Sequence, residues 1–229
     1  MSGLQGFWST YGGQILPALV QHLYLVGVAL ALGVIVAVPL GIVLTRFPRW
    51  SSPVIAVVSI VQTIPSLVFF ALLIPILGIG VQPALLVLFL YSLLPILRNT
   101  YIGVRSVDAA LIDASRGQGM TSWEILYMVE LPLSAPIIVA GIRLSAIYLV
   151  SWATIASLIG AGGLGDLIFS GIDGYDTNLL LAGAIPTALL ALIVGFVFGL
   201  IRTLVTPRGL RAEVVTKRDL KIKTEVVTG

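Results

Sequence analysis

Residues 113–132 read DASRGQGMTSWEILYMVELP and are the most informative stretch of the chain. This stretch is polar and amphipathic, and it lies between long hydrophobic segments of a protein that otherwise carries little charge. Polar groups without partners are costly in hydrocarbon, so a stretch of this kind does not lie within the lipid core. It therefore predicts a sizeable loop held against one face of a membrane.

The overall composition indicates a membrane protein. Apolar residues make up 58% of the 229 residues and charged residues 10%, whereas a globular chain carries about 25% charged residues. The mean hydropathy is +1.09, and the length suits one membrane domain. Because the chain has no cysteine and only one histidine, His22, we expect no disulfide, no metal site and no cofactor in this chain.

Five hydrophobic stretches predict an all-α membrane protein with five transmembrane helices. They cover residues 17–45, 53–78, 83–101, 134–160 and 179–203. A helix needs about 20 residues to cross a hydrocarbon core of about 30 Å. Only the third stretch is marginal, because Arg98 interrupts it, and we expect that side chain to reach the interface.

Basic residues predict the orientation of the bundle. All Lys and Arg residues except Arg143 fall on one side of a five-span arrangement. By the positive-inside rule that side is cytoplasmic and the N-terminus is outside. The predicted organisation is an external segment (1–16), a transmembrane domain (17–205) with a cytoplasmic loop (105–132), and a basic cytoplasmic tail (206–229) near anionic lipid.

The loop itself predicts a helix, a glycine turn and a second helix. One apolar stripe at helical spacing consists of Val107, Ala110, Leu111 and Ala114. Gly117 and Gly119 then end the first helix, because glycine readily adopts the left-handed conformation of a C-terminal cap. The sequence from Thr121 to Glu124 matches a capping box. The second helix would bury Ile125, Leu126 and Val129, and Pro132 leads into the fourth span.

A short helix across the end of a bundle is a rigid lever that a partner protein can grip. Gly119 allows close approach of a neighbouring backbone, because it has no side chain. The alternative is an amphipathic loop that only lies on lipid.

The spacing of the loop resembles the coupling loop by which permeases of ATP-binding-cassette importers engage their ATPases. It runs from Asp113 through two small residues and Gly119 to Val129-x-Leu131-Pro132. The segments QTIPSL (62–67), LPILRNT (94–100) and IGAGGLGD (159–166) are similar to the same family, most of all to osmoprotectant permeases. Asp113 and Ser115 stand where the family motif usually has Glu and Ala.

The resemblance implies a permease with a fold like that of the methionine permease, in a bacterial or archaeal cytoplasmic membrane. It implies a cytoplasmic ATPase dimer that binds ATP and Mg²⁺, a second permease chain, and an external binding protein; no nucleic acid partner is implied. Carried over residue by residue, it assigns ATPase docking to Asp113, Ala114, Ser115, Arg116, Gly119, Met120, Thr121 and Pro132.

Several side chains within the spans are candidates for a translocation pathway. Gln62, Thr63 and Ser66 lie within just over one helical turn, although they are equally suited to hydrogen bonds between helices. Tyr148 and Trp152, four residues apart, offer a cation–π surface to a quaternary ammonium group but also suit simple packing. Arg143 is the one charge deep in a predicted span and a functional candidate, unless it only reaches the interface.

Other function classes fit the sequence less well. GAGGLG (160–165) matches a dinucleotide-binding pattern, but it follows a membrane span rather than a strand, so we interpret it as a tight turn. The chain holds no Walker A sequence, so ATP hydrolysis is left to a partner and the chain is not an enzyme. Ion-coupled carriers usually need carboxylates within the spans, and the five predicted spans contain no Asp or Glu. The same importer class with another cargo, such as methionine, a phosphonate or a sulfonate, stays open.

Overall fold

The computed structural model describes the backbone of residues 2–207 and the side chains of residues 6–207. Within that range it contains helices and turns and no strand. The helices are α1 (Ser2–Arg46), α2 (Pro48–Thr63), α3 (Ser66–Leu77), α4 (Val81–Arg105), α5 (Ala109–Gly117), α6 (Ser122–Ile125), α7 (Leu131–Ala156), α8 (Leu164–Asp173) and α9 (Thr177–Val205). A π-helical turn, Leu126–Glu130, leads into α7. The predicted basic tail lies, from residue 208 on, outside the described residues.

Four helical segments of the described range are long and apolar enough to cross a membrane: Gly6–Arg46, Val81–Arg105, Ser122–Ile159 and Thr177–Val205. A fifth crossing results if α2 and α3 count as one bent span, since they meet at 92°. The all-helical architecture is thus confirmed, with four or five spans. The N-terminal segment predicted outside the domain is already helical, because α1 begins at Ser2.

The predicted second span, residues 53–78, consists of two helices, α2 and α3, with a sharp break between them. Pro65 has no N–H to donate and disfavours helical geometry at the residue before it. Ile64 accordingly has an extended backbone, with φ −73° and ψ 125°. The chain turns sharply here and starts a new helix at Ser66.

Small residues allow α1, α4 and α7 to pack closely at the centre of the bundle. A Cβ atom at Gly41 of α1 would lie 2.8 Å from the Cβ of Thr100 on α4. One at Gly141 of α7 would lie 2.7 Å from the carbonyl oxygen of Pro95 on α4. Close packing of small residues is how helices associate in a lipid environment, which provides little hydrophobic driving force between them.

Residues 160–163 of the glycine-rich segment 160–165 form a tight turn, as predicted, and the last two residues of the segment begin α8. Helix α1 holds this turn. Gly162 and Gly163 have φ of 77° and 90°, which side chains rarely tolerate. Gln21 donates from Nε2 to the carbonyl oxygen of Ala161 at 3.0 Å and accepts from the Gly163 N–H at 3.2 Å. His22 is fully buried beside this turn, with Nε2 3.1 Å from the carbonyl oxygen of Val150. The turn therefore lies between helical segments and does not follow a strand, as a dinucleotide-binding turn would.

Candidate functional site: the α5–α6 segment and the break in α2–α3

Helix α5 begins and ends at specific polar and glycine residues. The Asp108 carboxylate accepts the Ala110 N–H at 2.9 Å and caps the N-terminus, so the helix begins after Val107 rather than at it. At the other end Gly119 has φ 84° and donates its N–H to the carbonyl oxygen of Arg116 at 2.9 Å. Such a capped nine-residue helix is a compact rod at the end of the bundle.

The apolar stripe of α5 faces away from the rest of the chain. Ala110, Leu111 and Ala114 are exposed, and Val107 is half-buried; the Leu111 side chain is 48% exposed. Next to this stripe Ser115 is buried and donates its hydroxyl to the carbonyl oxygen of Leu111 at 2.8 Å; Ile112, farther round the helix, is half-buried. An apolar stripe that the chain does not cover is available to lipid or to a partner.

The predicted docking residues divide into an exposed set and an inward one. Asp113 and Arg116 are exposed and form an ion pair at 3.3 Å. Ser115 points toward the chain and Met120 is half-buried, so neither presents much surface. The remaining four, Ala114, Gly119, Thr121 and Pro132, are exposed.

The predicted capping box of α6 is present. Thr121 Oγ1 accepts the Glu124 N–H at 3.4 Å, and the Glu124 carboxylate accepts the Thr121 N–H at 2.6 Å. Ile125 and Leu126 are buried and Val129 is half-buried, as predicted.

An exposed aromatic pair beside α6 was missed by sequence reasoning. Trp123 and Tyr127 stack with ring centroids 5.9 Å apart, and their side chains are 68% and 62% exposed. Met128 next to them is 69% exposed. Their spacing of four residues is the signal that would have found them.

A second feature missed from sequence is an ion pair between Arg46 and Glu130. Arg46 is the last residue of α1, and Glu130 is the last residue of the π-helical turn. Arg46 Nη1 lies 3.0 Å from Glu130 Oε1, and Nη2 contacts the other carboxylate oxygen. The pair borders a small cleft that also reaches α5 and α6; it is lined by Arg46, Ile112, Arg116, Ser122, Ile125 and Glu130.

Gln62 and its neighbours lie at the break between α2 and α3. Gln62 donates from Nε2 to the carbonyl oxygen of Tyr91 at 2.9 Å, and the Tyr91 hydroxyl donates to the carbonyl oxygen of Ile64 at 2.6 Å. Thr63 bonds within its own helix, to the Ile60 carbonyl oxygen at 2.7 Å. Gln62 thus ties the break to α4, which is the hydrogen-bonding role predicted for it beside that of lining a pathway.

Tyr148 and Trp152 belong to a larger aromatic cluster, which comprises Phe69, Tyr91, Tyr148 and Trp152. The ring centroids are 5.4 Å apart for Tyr148 and Trp152, 4.6 Å for Trp152 and Tyr91, and 5.7 Å for Tyr91 and Phe69. Tyr91 is buried, whereas Tyr148 is 42% exposed. The cluster joins α7 to α4 and α3 and presents one accessible edge.

Arg143 lies on another side of α7, against α9. Its guanidinium is 3.8 Å and 3.7 Å from the positions where Cβ atoms would stand on Gly195 and Gly199. It forms no ion pair within the described residues. The guanidinium therefore packs beside two glycines of α9.

Comparison with known proteins identifies relatives over nearly the whole chain. The family model described as binding-protein-dependent transport system inner membrane component matches residues 29–210. The carnitine transport permease protein OpuCB of Listeria monocytogenes is 51% identical, over 92% of this chain and 97% of that protein. The glycine betaine/carnitine/choline transport system permease protein OpuCB of Bacillus subtilis (strain 168) is 49% identical over the same shares.

Solved structures show a similar fold. An inward-facing form of the MetNI methionine ABC transporter superposes with a TM-score of 0.77 at 25% identity, covering 84% of this chain and 96% of that one. An amino acid ABC transporter with histidines superposes with a TM-score of 0.68 at 19% identity, covering 85% and 95%.

Proposed function

Because this chain belongs to the family of binding-protein-dependent transport system inner membrane components, we propose that it is the permease subunit of an ATP-driven osmoprotectant importer. Its cargo is a compound such as glycine betaine, carnitine, choline or proline betaine. The observation that carries this proposal is the 49–51% identity to permeases named for carnitine, glycine betaine and choline. The chain is a multi-pass protein of the inner membrane and not itself an enzyme.

The exposed apolar residues of α5, Ala110, Leu111 and Ala114, together with the half-buried Val107 just before the helix, are the proposed contact for a cytoplasmic ATPase. An apolar stripe on a capped helix suits a groove in a partner, which such helices enter through residues at i, i+3, i+4 and i+7. The exposed Trp123 and Tyr127 extend this surface, and aromatic residues are enriched at protein interfaces. ATP and Mg²⁺ bind to that partner.

The assembly contains two permease chains, since each chain has one α5 and the ATPases act as a dimer. An external binding protein delivers the substrate to the opposite face. In the proposed orientation the N-terminus is outside and the C-terminus is in the cytoplasm; the distribution of basic residues supports it.

The aromatic cluster is the proposed surface for the cationic end of the substrate. Choline, carnitine and glycine betaine share a quaternary ammonium group, which aromatic ring faces attract by cation–π interaction. Tyr148 presents the accessible edge and Trp152 lies behind it. Gln62, Thr63 and Ser66 border the break beside Tyr91, and Arg143 stands against α9 as a further candidate for the pathway wall.

The mechanism is alternating access. Closure of the ATPase dimer pushes on α5, and the ends of the spans rotate so that the outer mouth opens; release of ATP hydrolysis products reverses this motion. An ion-coupled carrier is disfavoured because the spans carry no carboxylate at mid-depth.

The test is reconstitution in proteoliposomes with the partner ATPase and binding protein. We expect ATP hydrolysis to rise, and labelled glycine betaine to accumulate, only when the binding protein and betaine are both present. If methionine, a phosphonate or a sulfonate stimulates hydrolysis instead, the chain is still an importer permease, but its cargo is not an osmoprotectant. A chain that copurifies with no ATPase would refute the proposal and favour a carrier.

A further inference from the structure

The Arg46–Glu130 ion pair joins two parts of the chain that are far apart in sequence. The Glu130 side chain is only 3% exposed and that of Arg46 is 45% exposed. Both carboxylate oxygens are engaged by the guanidinium, a two-point geometry that fixes orientation as well as distance. Within the described residues the one other ion pair, Arg116–Asp113, is exposed and local.

The location of Glu130 connects the pair to α5, the helix proposed to contact the ATPase. Glu130 ends the π-helical turn between α6 and α7, where the Leu131 N–H bonds to the carbonyl oxygen of Leu126. Single π-helical turns of this kind are frequent at functional sites. Arg116 of α5 and Ser122 of α6 line the same cleft as the pair, so a displacement of α5 acts directly beside it.

The location of Arg46 connects the pair to the centre of the bundle. Arg46 is the C-terminal residue of α1, and α1 packs on α4 through close contacts such as that of Gly41 with Thr100. A guanidinium at the C-terminus of a helix also interacts favourably with the helix dipole. A displacement of Arg46 therefore reaches the transmembrane core through the contacts of α1 with α4.

Stability alone does not require an ion pair at this position. Removing a buried carboxylate from water is costly, and apolar residues of similar volume often hold two segments together equally well. What an apolar pair does not provide is a fixed, directional connection.

We propose that Arg46 and Glu130 are a positioning pair that couples ATPase movement at α5 to α1. When the ATPase displaces α5 and α6, the pair carries the cytoplasmic end of α1 along with the base of α7. Without the pair, α7 moves and α1 lags, so ATP is hydrolysed without complete opening of the outer mouth. This inference rests on the importer function proposed above.

The experiment compares variants in the reconstituted complex of permease, ATPase and binding protein. The variants are Glu130→Gln, the double variant Arg46→Met with Glu130→Met, and the control Arg49→Gln. Arg49 lies on the same predicted cytoplasmic side, is exposed, and forms no ion pair within the described residues. The measured quantity is the amount of glycine betaine taken up per ATP hydrolysed, together with thermal stability and ATPase copurification.

We expect Glu130→Gln and the Met–Met variant to lower uptake per ATP by about fivefold or more, the range of typical coupling between sites. Both variants should retain the ATPase, and the Met–Met variant should keep wild-type thermal stability. Arg49→Gln should keep the wild-type ratio.

The Met–Met variant distinguishes a pair that couples the movements of α5 and α1 from a pair that only fills space between them. If it is stable and transports with the wild-type ratio, the pair only fills space and the inference is wrong. The same holds if Glu130→Gln folds and couples normally. A wild-type complex whose hydrolysis ignores binding protein and betaine would instead overturn the proposed function, and that result is visible before any variant is made.

Discussion

The Tyr91 hydroxyl donates a hydrogen bond of 2.6 Å to the main-chain carbonyl oxygen of Ile64, the last residue before Pro65. This bond satisfies a carbonyl that the break in the helix leaves without its usual partner. The Tyr91 carbonyl oxygen in turn accepts from Gln62 at 2.9 Å. The sharp bend between α2 and α3 is thus held from the middle of α4 by one residue.

Replacing Tyr91 with Phe should loosen this bend. The substitution removes the hydroxyl and leaves the Ile64 carbonyl without its partner, which costs about 1–2 kcal/mol in a site away from water. We expect a lower thermal unfolding temperature in detergent. Tyr24→Phe is the control, because Tyr24 is 53% exposed. Equal stability of the two variants would show that the bond does not hold the bend.

Replacing Gly119 with a bulky residue, as in Gly119→Leu, should uncouple ATP hydrolysis from transport. A Cβ atom there would meet nothing in the chain within 4 Å, so insertion and folding should survive. The left-handed φ of 84° adds a local cost of about 1–2 kcal/mol for a residue with a side chain. Uptake per ATP in proteoliposomes is the measurement.

Two further variants separate backbone strain from partner approach at Gly119. Asn tolerates left-handed φ, so Gly119→Asn should still impair coupling if a partner backbone comes close. Gly117→Ala, at a position with open space and no positive φ, should be neutral. Normal transport by Gly119→Leu would remove the argument for close approach.

A charge within the apolar stripe should weaken ATPase binding. Leu111 is 48% exposed, so Leu111→Glu should change the free energy of unfolding by no more than about 0.5 kcal/mol. We expect less ATPase to copurify with this variant. If copurification is unchanged while membrane extraction becomes easier, the stripe lies on lipid instead.

Removing the aromatic ring of Tyr148, at the accessible edge of the aromatic cluster, should weaken binding of the substrate's quaternary ammonium group. Tyr148→Leu keeps apolar volume but removes the ring face, which is worth about 0.5–2 kcal/mol to a quaternary ammonium. We expect a higher betaine concentration at half-maximal transport, with ATPase copurification unchanged. Tyr148→Phe retains the ring and should transport nearly normally; equal loss in both variants would exclude a cation–π role.

Acid should loosen the contact between the start of α1 and the loop before α9. The Tyr11 hydroxyl donates to the Asp176 carboxylate at 2.7 Å. This bond, followed by that from the Leu179 N–H, lowers the pKa of Asp176 below its usual value. A carboxyl whose pKa is lower when folded stabilises the fold above its unfolded pKa of about 4, and that stabilisation is lost as pH falls through the folded pKa.

The measurement is the thermal unfolding temperature between neutral and acidic pH. Wild type should lose stability below about pH 4, whereas Asp176→Asn should be less stable at neutral pH and change less on acidification. Tyr11→Phe should likewise have a lower unfolding temperature at neutral pH and change less on acidification. Identical pH profiles for all three proteins would contradict the assignment to Asp176.

Residues close in sequence determined much of the segment 107–132. The capping box of Thr121 and Glu124 and the glycine turn at Gly119 depend on contacts within a few residues, and the structure confirms both. The stripe of α5 was also readable from its spacing. Its ATPase partner stays a prediction, because docking is decided by a second protein.

By itself the sequence determined that this is an all-helical membrane protein of the importer permease family, because hydrophobic length and short motifs are local properties. Only the tertiary structure decided that Pro65 turns α3 by 92° from α2, since a proline in a membrane helix produces anything from a slight kink to a break depending on its neighbours. It also decided that Glu130 is buried against Arg46. Those residues are 84 positions apart, and no local pattern specifies which distant side chain a carboxylate meets when helices pack.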